Sequence, residues 1–198
     1  MPIGACSTFN LPKSTFQTAA LYLCDILEPI QRSLQCAMNS TAVLFQRLRS
    51  SDCTVFLDTL VLFTADVKDI YPSIRNRHLY SVLADAIDRQ YGARSRRGTV
   101  AKNLSKITLD NQYIEHHGRL YKVAQGIAGD SGLSSGVFMA NVHSNDSDHS
   151  VGERNQSDLH FRARFVDDGL GIARCTECLP HTTDTSDSFD RNMRWEIA

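Results

Sequence analysis

The acidic residues with the most suggestive spacing are Asp167 and Asp168, which stand side by side between two short apolar segments. Before them, residues 161–165 alternate apolar and charged side chains, a pattern typical of a half-buried strand. Gly169 follows them and permits a tight turn, so the pattern predicts a hairpin with two carboxylates at its tip. Neighbouring carboxylates repel each other unless a cation lies between them, and Mg²⁺ binds carboxylates together with substrate phosphates. The pair is a candidate metal site, with an ordinary surface turn as the alternative.

A third aspartate follows the most apolar segment of the chain. Residues 60–65 read Leu-Val-Leu-Phe-Thr-Ala and run directly into Asp66. A continuous apolar run of this length is typical of a strand that is buried on both faces. Asp66 lies where that strand would emerge, and a charge there needs a partner or a metal. Asp66 is therefore a second candidate ligand.

Residues 125–132 form a glycine-rich segment that reads Gln-Gly-Ile-Ala-Gly-Asp-Ser-Gly. It leads into a predicted helix over 135–143. Glycine lets the backbone approach a ligand closely, and the N-terminus of a helix can bind anions. By itself this pattern does not identify a ligand.

Three helices are predicted in the first half of the chain. Residues 14–34 carry an apolar stripe at helical spacing, and Pro29 should kink or split that helix. A shorter helix is predicted over 40–48. Ser73 should cap a third helix over 74–91, which Gly92 ends.

The second half of the chain mixes loops with short strands. Residues 92–98 contain three arginines, and we interpret them as an exposed loop that is either a solvated linker or a phosphate contact. Residues 113–122 alternate around His117-Gly118 and predict a β-hairpin. Residues 144–160 are polar and predict a loop, and 195–197 begin a last strand.

Composition limits the class of protein. The chain has 198 residues, 42% of them hydrophobic, which suffices for one core, and its net charge of −1 is not that of a strongly basic nucleic-acid clamp. Its positive charge is mostly arginine and locally concentrated, so a basic channel is still compatible with a neutral whole. We predict no membrane span and no signal peptide.

The cysteine pattern favours a reducing compartment. Six cysteines are spread along the chain without a dense framework, so we expect an intracellular protein of the nucleus or cytoplasm that is not secreted. The spacing of three residues is similar to that of half a zinc site, namely Cys175, Cys178 and His181. No second ligand pair lies nearby, so no structural zinc is expected.

The three candidate segments, in this order and spacing, resemble the palm of reverse transcriptases. Residues 63–74 are similar to the first palm motif, in which an aspartate precedes an aromatic residue, here Asp66 and Tyr71. Residues 125–141 are similar to the second motif, and 165–168, which read Phe-Val-Asp-Asp, to the third. The Asp-Val-x-x-Ile-Tyr pattern and the earlier Leu-Glu-Pro at 27–29 are most similar to the Penelope-like and telomerase-related branch.

The resemblance covers about residues 15–198 and implies an α+β polymerase palm. It implies an antiparallel sheet that carries Asp66 and the Asp167 hairpin, with helices 74–91 and 135–143 on one face. Residues 1–53 would form a partial fingers region or cover, and residues 54–198 a palm that is incomplete at its C-terminus. The fingers are expected to be incomplete and the thumb absent, as in a palm-containing fragment.

The same resemblance implies RNA-directed DNA synthesis by two-metal nucleotidyl transfer. Asp66 and Asp167 would hold two Mg²⁺ ions, with Mn²⁺ as an alternative, and the carbonyl of Val67 would add a ligand. Asp168 would be a supporting carboxylate. The implied partners are an RNA template, a DNA primer and a deoxynucleoside triphosphate.

The resemblance also implies where the nucleotide binds. Tyr71 would stack under the sugar and exclude a 2′-hydroxyl. Gln125 and Gly126 would line the nucleotide pocket and the template side.

Several departures from the family pattern leave an alternative open. Residues 128–132 replace the usual Pro-Met-Gly-Ser-Pro, and Asp130 adds negative charge there. The basic fingers motifs have no clear match, and no lysine follows Lys122. The alternative is a catalytically inactive, truncated or domesticated reverse transcriptase-like domain that binds nucleic acid or protein. An RNA-dependent RNA polymerase is disfavoured, because those enzymes usually have glycine at the position of Val166 and rarely an aromatic at that of Tyr71.

Overall fold

The computed structural model describes residues 15–34, 36–38, 40–51, 60–68, 70–127, 137–145, 159–176 and 194–197. Within these residues the chain forms six helices and six strands. In chain order they are α1 (Thr15–Ser33), α2 (Thr41–Ser50), β1 (Val61–Lys68), α3 (Ile70–Ser73), α4 (Asn76–Tyr91), α5 (Arg96–Asp110), β2 (Tyr113–His116), β3 (Arg119–Lys122), α6 (137–145), β4 (Leu159–Phe165), β5 (Asp168–Ala173) and β6 (Arg194–Ile197).

Contacts divide the chain into two compact units that alternate along the sequence. The helical unit comprises Met1–Ser33 and Tyr71–His143, and the sheet unit comprises Leu34–Ile70 and Ser144–Ala198. The boundary predicted between residues 53 and 54 lies outside the described residues and stays a prediction. The predicted packing of helices 74–91 and 135–143 on the sheet also stays a prediction.

The sheet unit is built on four antiparallel strands in the order β4-β5-β1-β6. β1 lies between β5 and β6, so the segment that contains Asp66 occupies an interior position. The strand predicted around Trp195 is present as β6. Together with the helices, this antiparallel sheet confirms the predicted α+β class.

Burial along β1 corrects the prediction that this strand is buried on both faces. Phe63, Ala65 and Val67 are buried, whereas Leu62 is 66% exposed and Thr64 is also exposed. One face of an antiparallel strand can meet solvent, so a dense apolar run does not require two covered faces. The strand also continues to Lys68, so Asp66 lies inside it and not beyond its end.

Helix α2 covers part of the exposed side of the sheet. The Ser40 side chain caps the helix by accepting a hydrogen bond from the N–H of Val43 at 3.4 Å. Val43, Leu44 and Leu48 pack against a core cluster formed by Met38, Phe161 and Ala163. The short helix predicted over 40–48 is confirmed.

The helical unit begins with α1, whose predicted apolar stripe is buried. Leu23 and Leu27 have no exposed surface. The helix runs without interruption through Pro29, so it is not split there, and the alternative of a kink stays a prediction. The hydroxyl of Tyr91 at the end of α4 donates to the carbonyl of Ile26 at 2.6 Å and ties the two helices together.

Helix α4 confirms the predicted third helix but starts two residues later than predicted. Arg75 occupies the N-cap, because Ser73 belongs to the short preceding helix α3. Gly92 ends α4 with a φ of +86°, a conformation that glycine adopts easily.

Helix α5 was not predicted. The supposed basic loop over 92–98 is a loop only up to Ser95, which caps α5 by accepting from the N–H of Gly98 at 2.9 Å. The buried face of α5 consists mainly of small and polar residues, so no hydrophobic stripe signals it in the sequence. These residues are Gly98, Ala101, Ser105, Thr108 and Leu109.

The remaining loops and turns follow the sequence closely. The β2–β3 hairpin is present, with positive φ at His117 (+51°) and Gly118 (+73°), as a type I′ turn requires. Of the residues predicted as a polar loop over 144–160, residues 144–145 instead continue α6 and residues 159–160 begin β4, while 146–158 lie outside the described residues. Across the described ranges, no helix is both long and apolar enough to span a membrane.

Candidate functional site

The hairpin that carries the paired aspartates has a two-residue turn. β4 and β5 pair as far as Phe165 and Asp168, which leaves Val166 and Asp167 as the turn. Asp167 is therefore at the tip, whereas Asp168 is the first residue of β5. The glycine expected to form the turn, Gly169, lies inside β5 instead.

The backbone of this turn is held in an uncommon conformation. Val166 has a φ of +57°, which is rare for a β-branched residue. Its carbonyl accepts a hydrogen bond of 2.6 Å from Nη1 of Arg164, whose side chain is only 1% exposed. A buried guanidinium therefore fixes the strained residue that precedes Asp167.

Asp66 and Asp168 face each other across adjacent strands. They are directly paired in the β1–β5 register, so both side chains project from the same face of the sheet. The N–H of Val67 donates to the carbonyl of Asp167 at 3.0 Å, which fixes the tip of the hairpin to β1. The structure thus brings together four of the predicted site residues, Asp66, Val67, Asp167 and Asp168, which we call the aspartate cluster.

The charges of the aspartate cluster suit a shared cation. Like charges directly opposite each other destabilise a sheet, and a third carboxylate lies next along the chain. Among the described residues, no group of three or more His, Cys, Asp or Glu side chains is arranged to hold a metal by itself. Mg²⁺ commonly takes only one or two protein carboxylates and completes its shell with water and substrate phosphates. The donor chemistry therefore fits ions shared with a phosphorylated substrate.

A cavity of about 680 Å³ lies beside the aspartate cluster, within the sheet unit. Its volume is in the range of small-molecule binding sites. Asp168 and the exposed Phe165 line it, together with Thr41 and Leu44 of α2. The lining residues are Met38, Ser40, Thr41, Leu44, Thr64, Ala163, Arg164, Phe165, Asp168, Gly169 and Leu170.

The other predicted site residues, Tyr71, Gln125 and Gly126, lie in the helical unit. The N–H of Ile127 donates to the carbonyl of Tyr71 at 2.9 Å, so the glycine-rich segment is bonded directly to the first motif. Gln125 is exposed beside this contact. The structure therefore brings Tyr71 and Gly126 together.

Two side chains hold Gly126 from either side. Its N–H donates to Oδ1 of Asn76 at 2.9 Å, and its carbonyl accepts from Nε2 of Gln112 at 3.1 Å. A Cβ at Gly126 would lie 2.6 Å from the carbonyl oxygen of Tyr71, and its φ is +89°. Only glycine fits here. We call Tyr71, Asn76, Gln112, Gly126 and Ile127 the glycine cradle.

Asn76 and Gln112 were not among the residues predicted from sequence. Gln112 is only 3% exposed, and its amide also donates to the carbonyl of Leu109 at 3.2 Å. A buried amide must form hydrogen bonds, so knowing that Gln112 is buried would have shown that it supports the structure around it. Burial of one glutamine between a helix and a strand cannot be read from the sequence.

The half zinc site falls mainly outside the described residues. Cys178 and His181 are not described. Cys175 is disulfide-bonded, so its sulfur is not a thiolate ligand.

No known protein-family model matches this chain, and a search of curated proteins also finds no match. Solved telomerase structures are similar to it. Apo telomerase from Candida tropicalis, truncated from its C-terminal domain, has a TM-score of 0.63 at 15% identity, over 94% of this chain and 41% of that chain. Telomerase from Candida albicans in complex with a TWJ fragment of telomeric RNA has a TM-score of 0.64 at 13% identity, over 94% of this chain and 34% of that chain.

These similarities extend over nearly all of this chain but over less than half of each telomerase. At such low identity they establish the fold and not the chemistry. The chain has an α+β, reverse transcriptase-like fold.

Proposed function

We propose that this domain carries out template-directed DNA synthesis by nucleotidyl transfer, as a member of the telomerase-related or Penelope-like reverse transcriptases. One observation supports it above all. A carboxylate from the middle of the chain, Asp66, is paired in the sheet with Asp168, and Asp167 is bonded to the residue after Asp66. Residues about 100 positions apart thereby form one acidic end of the sheet, in a fold similar to telomerase.

Asp66 and Asp167 would hold two Mg²⁺ ions, with Mn²⁺ as an alternative, and the carbonyl of Val67 would add a ligand. When bound, the ions would activate the primer 3′-hydroxyl as nucleophile and stabilise the leaving pyrophosphate. Asp168 is a supporting carboxylate, since it lies opposite Asp66 in the ladder. The bond from Val67 to Asp167 fixes the spacing between the two ligand-bearing segments.

Tyr71, Gln125 and Gly126 would position the nucleotide. The ring of Tyr71 would stack under the sugar and exclude a 2′-hydroxyl, which selects deoxynucleotides. The glycine cradle supports this role, because it fixes the backbone of Tyr71 through the N–H of Ile127. Gln125 is exposed next to the cradle and so can reach a substrate.

The partners we propose are an RNA template, a DNA primer and a deoxynucleoside triphosphate. The Candida albicans telomerase structure contains a fragment of telomeric RNA, which supports RNA as one partner. Base pairing would read the sequence, so the protein needs to recognise only the shape and backbone of the nucleic acid. We propose an intracellular location, in the nucleus or cytoplasm.

Primer extension on an RNA template with Mg²⁺ tests this function. The parent chain should extend the primer, and Asp66→Asn and Asp167→Asn should each abolish extension while folding normally by circular dichroism. Asp110→Asn is the matched control, because it removes one exposed carboxylate at the end of α5, outside the aspartate cluster. Extension that survives Asp167→Asn would refute the proposed role.

A catalytically inactive domain that binds nucleic acid or protein is the second candidate. The sequence favours it at two points: no lysine follows Lys122, and Asp130 replaces an uncharged residue of the family pattern. The same assay separates the two functions. A folded parent that binds a primer–template duplex but yields no product would support the inactive domain.

A further inference from the structure

Four arginines lie close together in the helical unit, at the junction between α4 and α5. Arg89 is in the last turn of α4, Arg94 is in the connecting turn, and Arg96 and Arg97 begin α5. All four are exposed. We call them the arginine patch.

The acidic residues nearby leave the arginine patch positively charged. Asp88 is engaged by Nζ of Lys102 at 2.7 Å and is therefore already neutralised. Asp85 is the other acid on this part of α4, and it is exposed. Among the described residues, no recorded ion pair joins a patch arginine to a carboxylate. The patch therefore presents several cationic groups to solvent.

The dipole of α5 does not explain Arg96 and Arg97, the two arginines in its first turn. Cations at the N-terminus of a helix oppose its dipole, and α5 has no acidic residue in its first turn to compensate. Gly98 in the same turn further weakens the start of the helix. Residues that disfavour the local fold point to selection for something other than folding.

One guanidinium of the patch is held in place. The Arg97 guanidinium lies 5.0 Å from the centroid of the Tyr91 ring, within the range of a cation–π interaction. Tyr91 is itself fixed by the 2.6 Å hydrogen bond from its hydroxyl to the carbonyl of Ile26 in α1. Arg97 therefore loses less conformational freedom on binding, and its N–H donors suit a phosphate.

We propose that the arginine patch binds the phosphate backbone of an RNA–DNA duplex. The inference rests on the proposed function, because a template-directed polymerase must hold its duplex without reading its sequence. The four arginines are spread over the end of one helix, a turn and the start of the next helix. This spacing suits contacts with several phosphates better than contacts with a single phosphate. A nucleic-acid backbone is an anion with that repeating charge, and Arg–phosphate contacts carry no sequence preference.

Binding of a fluorescently labelled 20-base-pair RNA–DNA duplex, measured by anisotropy between 50 and 200 mM KCl, tests the proposal. The patch variant is Arg94→Gln/Arg96→Gln/Arg97→Gln. The loss of three phosphate contacts should weaken binding at least about tenfold at 50 mM salt and make the slope of log K against log salt shallower by roughly 3.

Two further variants make the result specific to this surface. The control Arg49→Gln/Lys106→Gln/Arg174→Gln removes the same charge from exposed positions outside the patch and should keep more of the binding and of the slope. The charge-preserving Arg94→Lys/Arg96→Lys/Arg97→Lys should keep most of the salt slope, which excludes misfolding as the cause. Equal losses in the patch and control variants would overturn the proposal.

The binding assay needs no catalysis, so failure of this proposal and failure of the proposed function give different results. If the parent extends primers and the patch variant binds the duplex as tightly as the parent does, only the proposed role of the arginine patch is refuted. A parent that binds through the patch without extending primers would refute the enzyme alone. Patch-dependent binding to anionic lipid vesicles, with no binding to the duplex, would also overturn the proposal.

Discussion

The aspartate cluster and the glycine cradle are held by different kinds of contact. In the cluster, strand register places Asp66 opposite Asp168, and backbone bonds fix the tip of the hairpin. In the cradle, polar side chains of Asn76 and Gln112 hold the backbone of Gly126. The cluster brings like charges together, whereas the cradle gives both the N–H and the carbonyl of Gly126 a hydrogen-bond partner.

We infer from this difference that the aspartate cluster is placed for chemistry and the glycine cradle for support. Paired carboxylates on a sheet make the fold less stable, so their arrangement favours a ligand. Hydrogen bonds to a buried backbone stabilise the fold, so their loss should be measured first as lost stability. Variants in the two regions should therefore affect different quantities.

The largest effect is expected for Asp66→Asn and Asp167→Asn on primer extension. Each should lower the rate by at least about a thousandfold, because a bound metal contributes several kcal/mol to such a reaction. Stability should stay the same or rise by about 0.2–1 kcal/mol, since repulsion between like charges is removed. Product formation and urea denaturation of the same samples measure both quantities. A large loss of stability would make the cluster a structural feature.

Gly126→Ala should give the largest loss of stability in the cradle. A left-handed backbone and a Cβ placed 2.6 Å from the Tyr71 carbonyl should together cost roughly 2–4 kcal/mol. Gly118→Ala is the matched control, because its φ is also positive (+73°) but nothing lies within 4 Å of the added carbon. The control should lose only about 1–2 kcal/mol. Equal losses by urea denaturation would show that Gly126 has no close neighbour.

Gln112→Ala should destabilise the fold by about 1–3 kcal/mol, because the carbonyls of Leu109 and Gly126 lose their donor. Asn111→Ala removes a neighbouring amide that donates to the carbonyl of Ile107 at the surface. Water can replace that bond, so the control should change stability by less than about 0.5 kcal/mol. A larger effect in the control would contradict the structure around Gln112.

Val166→Gly should change the free energy of unfolding only slightly. Glycine relieves the left-handed strain at the hairpin tip but makes the unfolded chain more flexible, so the two contributions nearly cancel and leave a change within about 1 kcal/mol. A loss well above this value would mean that the valine side chain is required at the tip. Urea denaturation of the parent and the variant measures the difference in the free energy of unfolding.

The residues that we propose to carry the chemistry could be found in the sequence, because their types and spacing are restricted. Alternation before Asp167 and the apolar run before Asp66 predicted two strands, and the structure pairs Asp66 with Asp168. The turn itself was misplaced, since Gly169 lies in β5 and Val166 takes the positive φ. Glycine is the usual residue at a positive φ but not the only one. Here the hydrogen bond from Arg164 to the carbonyl of Val166 stabilises valine in that conformation.

The supporting residues were missed for two physical reasons. Helix α5 buries small and polar side chains such as Ala101 and Ser105, so no apolar stripe reveals it. Asn76 and Gln112 act on Gly126 across 50 and 14 positions of sequence, and many polar residues could supply such bonds. Local patterns predict strands and turns well, but they do not contain contacts of this range.

Mn²⁺ titration calorimetry tests most directly whether carboxylates from two distant parts of the chain share cations. The parent should bind Mn²⁺, and Asp66→Asn, Asp167→Asn and the double variant should lose binding to a similar extent, because all three disrupt one site. Asp110→Asn should bind like the parent. Unchanged binding in Asp66→Asn, or losses that add independently in the double variant, would contradict a shared site at the end of β1 and the hairpin.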